Sequence, residues 1–404
     1  MKKHVFIVLL AMFNTFAWAQ QSVFVGQTNG VTDAFPMSTT EHTFSADGMT
    51  MTLNGQYEYS IADINEITFG DSPATVSITY DGDKATVINP FRYDGVSVSV
   101  DGANVTVNNA NTTTELSFEL TGSTTSGSFV YNGEYKTTIV LNGVSITNPK
   151  GAAIDIECGK RIAMELAKGT VNNLVDGAKG KQKAALYCKG HLEIDKKGTL
   201  NVTGNLKHAI SAKEYVQLKK STGVINILGS KSDGIHCGQF FAASGFTVNI
   251  SNIEGDGVQV EYSGDEDYDE DFDDGDIVIQ GGTFNIDVTA PTSAAFKCDS
   301  TLTINDAKSA PEITITTSGN GDKGLKAGSN INVKAGKIDI TQTGTYAIED
   351  GDYKYVTAIS ADKNVNITGG TITINNTAEA GRGIVADGTV TIAETATVSD
   401  NTVK

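Results

Sequence analysis

The feature that most constrains this chain is a unit that recurs between Ala152 and Lys404. It consists of a small residue, an aliphatic, a variable residue and a second small residue, followed by one or two β-branched runs. It is plainest near the end, where TAISADKNVNITGGTITIN (357–375) is followed by RGIVADGTVTI (382–392). Anchoring on the first small residue gives Ala153, Ala185, Ala209, Gly234, Gly257, Ala295, Gly324, Ala358 and Gly383. The shortest steps, 23 to 25 residues, suit three short strands and three turns. Residues one step apart would then stack about 4.8 Å apart on neighbouring coils. The aliphatics Ile210, Ile235, Val258, Leu325, Ile359 and Ile384 are expected to form one inward ladder, and Ala212, Cys237, Ala327, Ala361 and Ala386 another. A β-sandwich would alternate without a fixed column of small residues, and a doubly wound α/β fold would need helical segments that are absent. The expected class is all-β: a right-handed parallel β-helix, a solenoid of short coils, with a small N-terminal β extension.

Composition agrees with this. There are 43 Gly and only 6 Pro, with abundant Thr, Asn, Val and Ile, which suit tight turns and pleated strands. A net charge of −18 argues against nucleic acid and anionic membrane surfaces as partners. The charge is uneven: residues 150–220 are lysine-rich and residues 254–276 densely acidic.

Residues 1–19 read as a secretory signal, with Lys2 and Lys3 before the apolar run Val5–Phe13 and then Ala17-Trp18-Ala19. That run is too short to span a bilayer stably. The expectation is export to the periplasm, cell surface or extracellular space, without membrane insertion. Residues 20–72 are expected to form the small N-terminal β segment, and 73–150 irregular strands, first coils and a cap that shields the end of the stack. Residues 151–404 supply the regular coils. Cys188, Cys237 and Cys298 fall in one column on alternate coils, too far apart for disulfides, and read as small buried residues. Cys158 and Cys188 align on adjacent coils, which leaves a bridge between them open.

Four segments then appear in order: TTIVLNGVSITNPKGAAIDI (137–156), LAKGTVNNLVDG (166–177), AALYCKGHLEIDKKGTLNVTGN (184–205) and the pair SDGIHC and GDGVQV (232–260). Together they resemble the bacterial calcium-dependent carbohydrate-binding domain family, related in fold to pectate lyases. The resemblance spans roughly residues 75–400. It implies a parallel β-helix, bound calcium and affinity for plant-type or acidic polysaccharides, without catalysis. One departure is GDKGLKA (321–327), with Lys323 where an acid would sit.

Asp233 and Asp256 precede their anchors on consecutive coils, and two carboxylates about 5 Å apart repel unless a proton or cation joins them. Calcium, which takes six to eight oxygens, is the expected cofactor at this pair and at Asp362 and Asp387. The alternative is that these aspartates accept backbone hydrogen bonds at turns. His208, in the column next to Asp233, reads as a solvated or stacked neighbour rather than a ligand.

Sugar recognition combines an aromatic face with a few fixed polar groups. The chain's single tryptophan is Trp18, so the platforms fall to Tyr262, Tyr268, Phe272, Tyr346, Tyr353 and Tyr355 in the longer inter-coil segments. Of Phe240 and Phe241, one is expected inside. Lys323, Lys326 and Arg382 are placed to meet uronate carboxylates. The acidic run 265–276 holds nine carboxylates around Tyr268 and Phe272 but fits no EF-hand register. It reads as a solvated loop or as a calcium-ordered one.

The expected function is calcium-assisted, non-catalytic recognition of polysaccharide. A structural or adhesive surface protein is the alternative, since fold alone does not separate the two. A pectate-lyase-like enzyme is a second alternative. It would need an arginine base, and the chain offers only Arg92, Arg161 and Arg382.

Overall fold

The computed structural model describes residues 21–262, 274–305 and 310–403. The signal segment 1–19, Tyr268 and Phe272 lie outside them. The described residues are all-β, with one short 3-10 turn at Met37–Thr39 and otherwise strands. No helix among them is long and apolar enough to cross a membrane.

Successive turns of chain stack in parallel and form three walls. The first wall is a sheet of twelve strands: Val96–Asp101, antiparallel to Asn104–Asn109, begins it, and parallel strands continue from there through Ser128–Gly133 and His208–Ala212 to Arg382–Ala386. The second carries Thr137–Leu141, Ile162–Leu166 and Leu192–Lys196, and the third Ser145–Asn148, Val171–Asp176 and Thr199–Gly204, each continued turn by turn. The aliphatics after the anchors stack as expected: Ile210 pairs with Ile235, Ile235 with Val258, Leu325 with Ile359 and Ile359 with Ile384, while Phe296 stands between Val258 and Leu325. Parallel pairing already joins Asn104–Asn109 to Ser128–Gly133, so the regular stack starts well before residue 151.

Period-two alternation sends one aliphatic in every pair toward the interior. The third wall contributes Leu174, Val202, Ile227, Ile250, Ile286, Ile315, Ile340 and Ile374 in one column, all buried. Burial of each such side chain is worth about 1.5–3 kcal/mol. Long strands turn the corner between the second and third walls where glycine permits it. Gly122 has φ +78°, and a Cβ there would meet the Tyr80 carbonyl oxygen of the next turn at 2.0 Å. Gly282, with φ +99°, would meet Gly245 O at 2.4 Å.

The third wall also carries an asparagine ladder on its outer face. Asn201 donates Nδ2–H to Asn173, Asn226 to Asn201, Asn249 to Asn226 and Asn285 to Asn249, each at 2.8 Å. Every amide therefore points to the preceding turn.

The opening end is closed by antiparallel strands. Val76–Asp81 pairs with Lys84–Asn89, and Val96–Asp101 with Asn104–Asn109. Residues 21–71 form antiparallel strands around Val25, Phe35, Met51, Leu53 and Tyr59. They join the cap where Val31–Asp33 run parallel to Val87–Asn89. Buried Asp33 ties the two parts, accepting from Tyr59 Oη at 2.8 Å and Asn89 Nδ2 at 3.1 Å.

All four cysteines are buried and free. Cys158 lies two residues beyond Ile156, the register partner of Cys188, and directs its thiol to the Tyr135 carbonyl. Phe241 faces the core, while Phe240 stacks outside it on Tyr215 with centroids 4.5 Å apart.

Candidate functional site

The first wall gathers most of the polar groups singled out in the sequence. Its register places His208, Asp233, Asp256, Ala294, Lys323, Thr357 and Arg382 in one column at the edge where the chain enters the wall. Three residues on, Ser211, His236, Gln259, Lys297, Lys326 and Ser360 form the neighbouring column. At about 4.8 Å per turn the first column runs roughly 29 Å along the stack. Histidines and carboxylates occupy one end, lysines the middle, and arginine with tyrosines the other.

The two aspartates expected to share calcium do lie on adjacent turns, but each has other partners. Asp233 Oδ1 accepts the Asp256 N–H at 2.9 Å, and Asp256 Oδ1 accepts the Ala294 N–H at 2.6 Å. Each carboxylate thus holds the backbone of the following turn, the role that turn aspartates often take. Lys297 Nζ stands 3.0 Å from Asp256 Oδ2, where a cation would otherwise be needed. On the other side, His208 Nδ1 and His236 Nδ1 each lie 3.1 Å from Asp233 Oδ2. The donor set around this pair is therefore two ring nitrogens and an ammonium, a poor match to an oxygen-seeking ion. Burial pushes the Asp233 carboxyl upward, but the close approach of His208 and the hydrogen bond with His236 outweigh it and hold the group well below the usual carboxylate range.

Beyond Asp256 the wall opens into a cleft of about 360 Å³ lined by Lys297, Lys323, Lys326, Lys354, Thr292 and Glu349 among others. Lys323 is the most constrained of these lysines. Its Nζ donates to the carbonyls of Gly321 at 2.7 Å and Tyr355 at 2.6 Å. Burial, then the nearby positive charge of Lys326, lowers its pKa to about 8, with Arg382 and Lys354 adding to the effect. Asp322, just before it, is fully buried and accepts the N–H groups of Gly319 at 2.7 Å and Ser293 at 3.3 Å. Burial raises that carboxyl to about 7.

The cleft is flanked by a two-stranded hairpin, Ala347–Glu349 with Asp352–Lys354, which brings Tyr346, Tyr353 and Tyr355 together. Ring centroids are 5.2 Å apart for Tyr346 and Tyr353, and 6.1 Å with a near-parallel stack for Tyr353 and Tyr355. Tyr353 is 55% exposed, so a face is open to a ligand. The Arg382 guanidinium lies over the Tyr355 ring at 3.7 Å, a cation–π contact that fixes both.

The structure therefore unites Tyr346, Tyr353, Tyr355, Lys323 and Arg382. It places Tyr262 elsewhere, at the edge where the chain leaves the wall, with its N–H bonded to Asp299 at 2.9 Å. Asp362 and Asp387 also sit at that exit edge, exposed and one turn apart, directly after the paired Ala361 and Ala386. Lys297, Lys354 and His236 were not singled out in the sequence. The signal for Lys297 and His236 was available, since both occupy the column that already contained Lys326.

The remaining arginines are engaged elsewhere. Arg161 pairs with Glu115 at 2.5 Å and reaches Glu193 at 3.7 Å. Arg92 approaches Asp33 at 3.9 Å.

The chain is similar in sequence and fold to known proteins. A carbohydrate-binding domain-containing protein of Acetivibrio thermocellus is 27% identical over 162 residues, 38% of this chain and 52% of that protein. The chain thus spans about half the length of this curated relative. A solved polysaccharide lyase-like protein from C. thermocellum, a gadolinium derivative, superposes with a TM-score of 0.53 at 23% identity. The match covers 64% of this chain and 96% of that one, and it is a likeness of fold. A family model described as carbohydrate-binding domain-containing protein matches residues 101–401, nearly the whole stack of parallel turns, and on that match the chain belongs to the carbohydrate-binding domain-containing protein family.

Proposed function

We propose that this chain is an exported, non-catalytic protein that binds an acidic polysaccharide along the lysine cleft of the first wall, with calcium assisting at the exit edge. The observation that carries the reading is the convergence of Lys297, Lys323, Lys326 and Lys354 on one cleft in a chain of net charge −18. Burial, and after it the charge of Lys326, disfavours the protonated form of Lys323, and a polyanion in the cleft would favour it. Tyr353 supplies the apolar face that a pyranose ring needs.

The stack is read as right-handed, the hand that crossover connections between parallel strands adopt. Export follows from the leader at residues 1–19 and places the protein in the periplasm, at the surface or outside the cell. Calcium is assigned to Asp362 and Asp387, exposed carboxylates on adjacent turns, and not to Asp233 and Asp256. Non-catalytic binding is supported by the state of the arginines: each faces a carboxylate or an aromatic ring, so none stands free as the base of a β-elimination.

Affinity electrophoresis tests this. Polygalacturonate in the gel is expected to retard the wild type, and Lys323→Ala with Lys326→Ala to abolish the effect. EDTA or Asp362→Asn is expected to weaken it. Equal retardation by cellulose and polygalacturonate would sink the acidic-ligand reading. Release of unsaturated product would sink the non-catalytic one.

A further inference from the structure

The histidine end of the first wall has a chemistry unlike the rest. We infer that His208, Asp233 and His236 form a binding site for a borderline divalent transition metal of the zinc class, distinct from any calcium site.

Two nitrogens and one oxygen converge there. His208 Nδ1 and His236 Nδ1 each lie 3.1 Å from Asp233 Oδ2, and the three ligand atoms all fall within 4.8 Å of one another. Ligands about 2.0–2.2 Å from a tetrahedral zinc ion are separated by roughly 3.3–3.6 Å, so the two N···O edges of 3.1 Å need open by only a few tenths of an ångström to admit the ion. Imidazole nitrogen with one carboxylate suits zinc and its neighbours, whereas calcium and magnesium select oxygen.

The second observation is an unsatisfied atom. His208 is 3% exposed, and its Nδ1 is buried without a hydrogen-bond partner, because its approach to Asp233 lacks hydrogen-bond alignment. A buried ring nitrogen in that state is unfavourable, and a metal bond would satisfy it. His236 Nδ1 does bond to Asp233 Oδ2, so one carboxylate oxygen serves two rings.

The surroundings hold the ligands in place. Asp233 Oδ1 accepts the Asp256 N–H at 2.9 Å, the kind of outer contact that orients a coordinating carboxylate. The rings stack, with centroids 4.3 Å apart at 19°. Coordination in the ring planes requires them to splay, and His236, partly open to solvent at 18%, has room to turn. That opening also admits the water that completes a four-coordinate shell.

The test is titration of the untagged full chain with Co²⁺ and Zn²⁺, read by calorimetry and by the visible bands of four-coordinate cobalt. One equivalent is expected, with cobalt displaced by zinc, and His236→Ala should weaken binding roughly tenfold or more. Asp233→Asn, which keeps an acceptor for the Asp256 N–H, should do the same while the circular dichroism spectrum stays unchanged. Absence of a cobalt spectrum in the wild type, or equal affinity in both variants, would overturn the assignment. Calcium competing with cobalt for the site would also overturn it.

Discussion

Asp256 and Lys297 are 41 residues apart in sequence, yet Lys297 Nζ lies 3.0 Å from Asp256 Oδ2 on the next turn. The ammonium occupies the place that the neighbouring carboxylates would otherwise demand of a cation. It also stands at the edge of the lysine-lined cleft that continues along the same wall.

Removing that ammonium should be felt in stability. Lys297→Ala leaves a buried carboxylate short of its charged donor, a loss of about 1–3 kcal/mol. A urea denaturation curve should show it as a lower midpoint with an unchanged slope. Asp256→Asn on that background should restore much of the loss.

Tyr353 should contribute to binding and not to folding. Its ring is more than half exposed and packs only within the hairpin cluster. Tyr353→Ala is expected to weaken polyuronate binding by about 1 kcal/mol, roughly fivefold, without moving the thermal midpoint.

Polyuronate affinity should fall as pH rises through about 8, where Lys323 loses its proton while the ligand stays anionic. Lys323→Met should bind more weakly at pH 7 and show a flatter profile from 7 to 9. Folding stability runs the other way. The folded pKa of Lys323 lies below its unfolded value of about 10.4, so the unfolded chain binds the proton more tightly. The unliganded protein should therefore gain stability between about pH 8 and 10. Binding and melting curves over one pH series would separate the two effects.

The core tolerates a larger column member where the sequence supplies one. Phe296 is fully buried between Val258 and Leu325 and packs edge-to-face on Phe284 at 5.5 Å. Phe296→Ala is expected to cost about 3–5 kcal/mol, measured by denaturant titration.

Much of this architecture was readable in the chain because a stack of turns writes its register as a repeat. From Ile210 to Ile384 the expected inward ladder coincides with the observed pairing, with Phe296, which that ladder left out, filling the place between Val258 and Leu325. The site was less legible. The repeat predicts which residues stack, but not what covers them. Asp256 meets Lys297 because Val258–Val260 pairs directly with Phe296–Cys298, although the step between these two turns is the longest in the repeat. Tyr353 and Tyr355 reach the lysines through a hairpin inserted between two turns, and nothing in the repeat states where an insertion folds. The aspartates were read as a pair, whereas each is tied to backbone and to a residue of the neighbouring column. The earlier start of parallel pairing at Asn104–Asn109 escaped the repeat because Val105 and Phe129 are followed by Val107 and Tyr131 where later turns carry a small residue.

The asparagine ladder on the third wall has a consequence for how the chain is made. Each Nδ2–H donates backward, from Asn201 to Asn173 and onward to Asn285, so every new turn finds an acceptor already in place. Stacked repeats fold by adding units to a nucleus, and along this wall each coil presents an amide acceptor to the coil that follows it. A chain winding in the order in which it leaves a ribosome finds in each finished coil the template for the next.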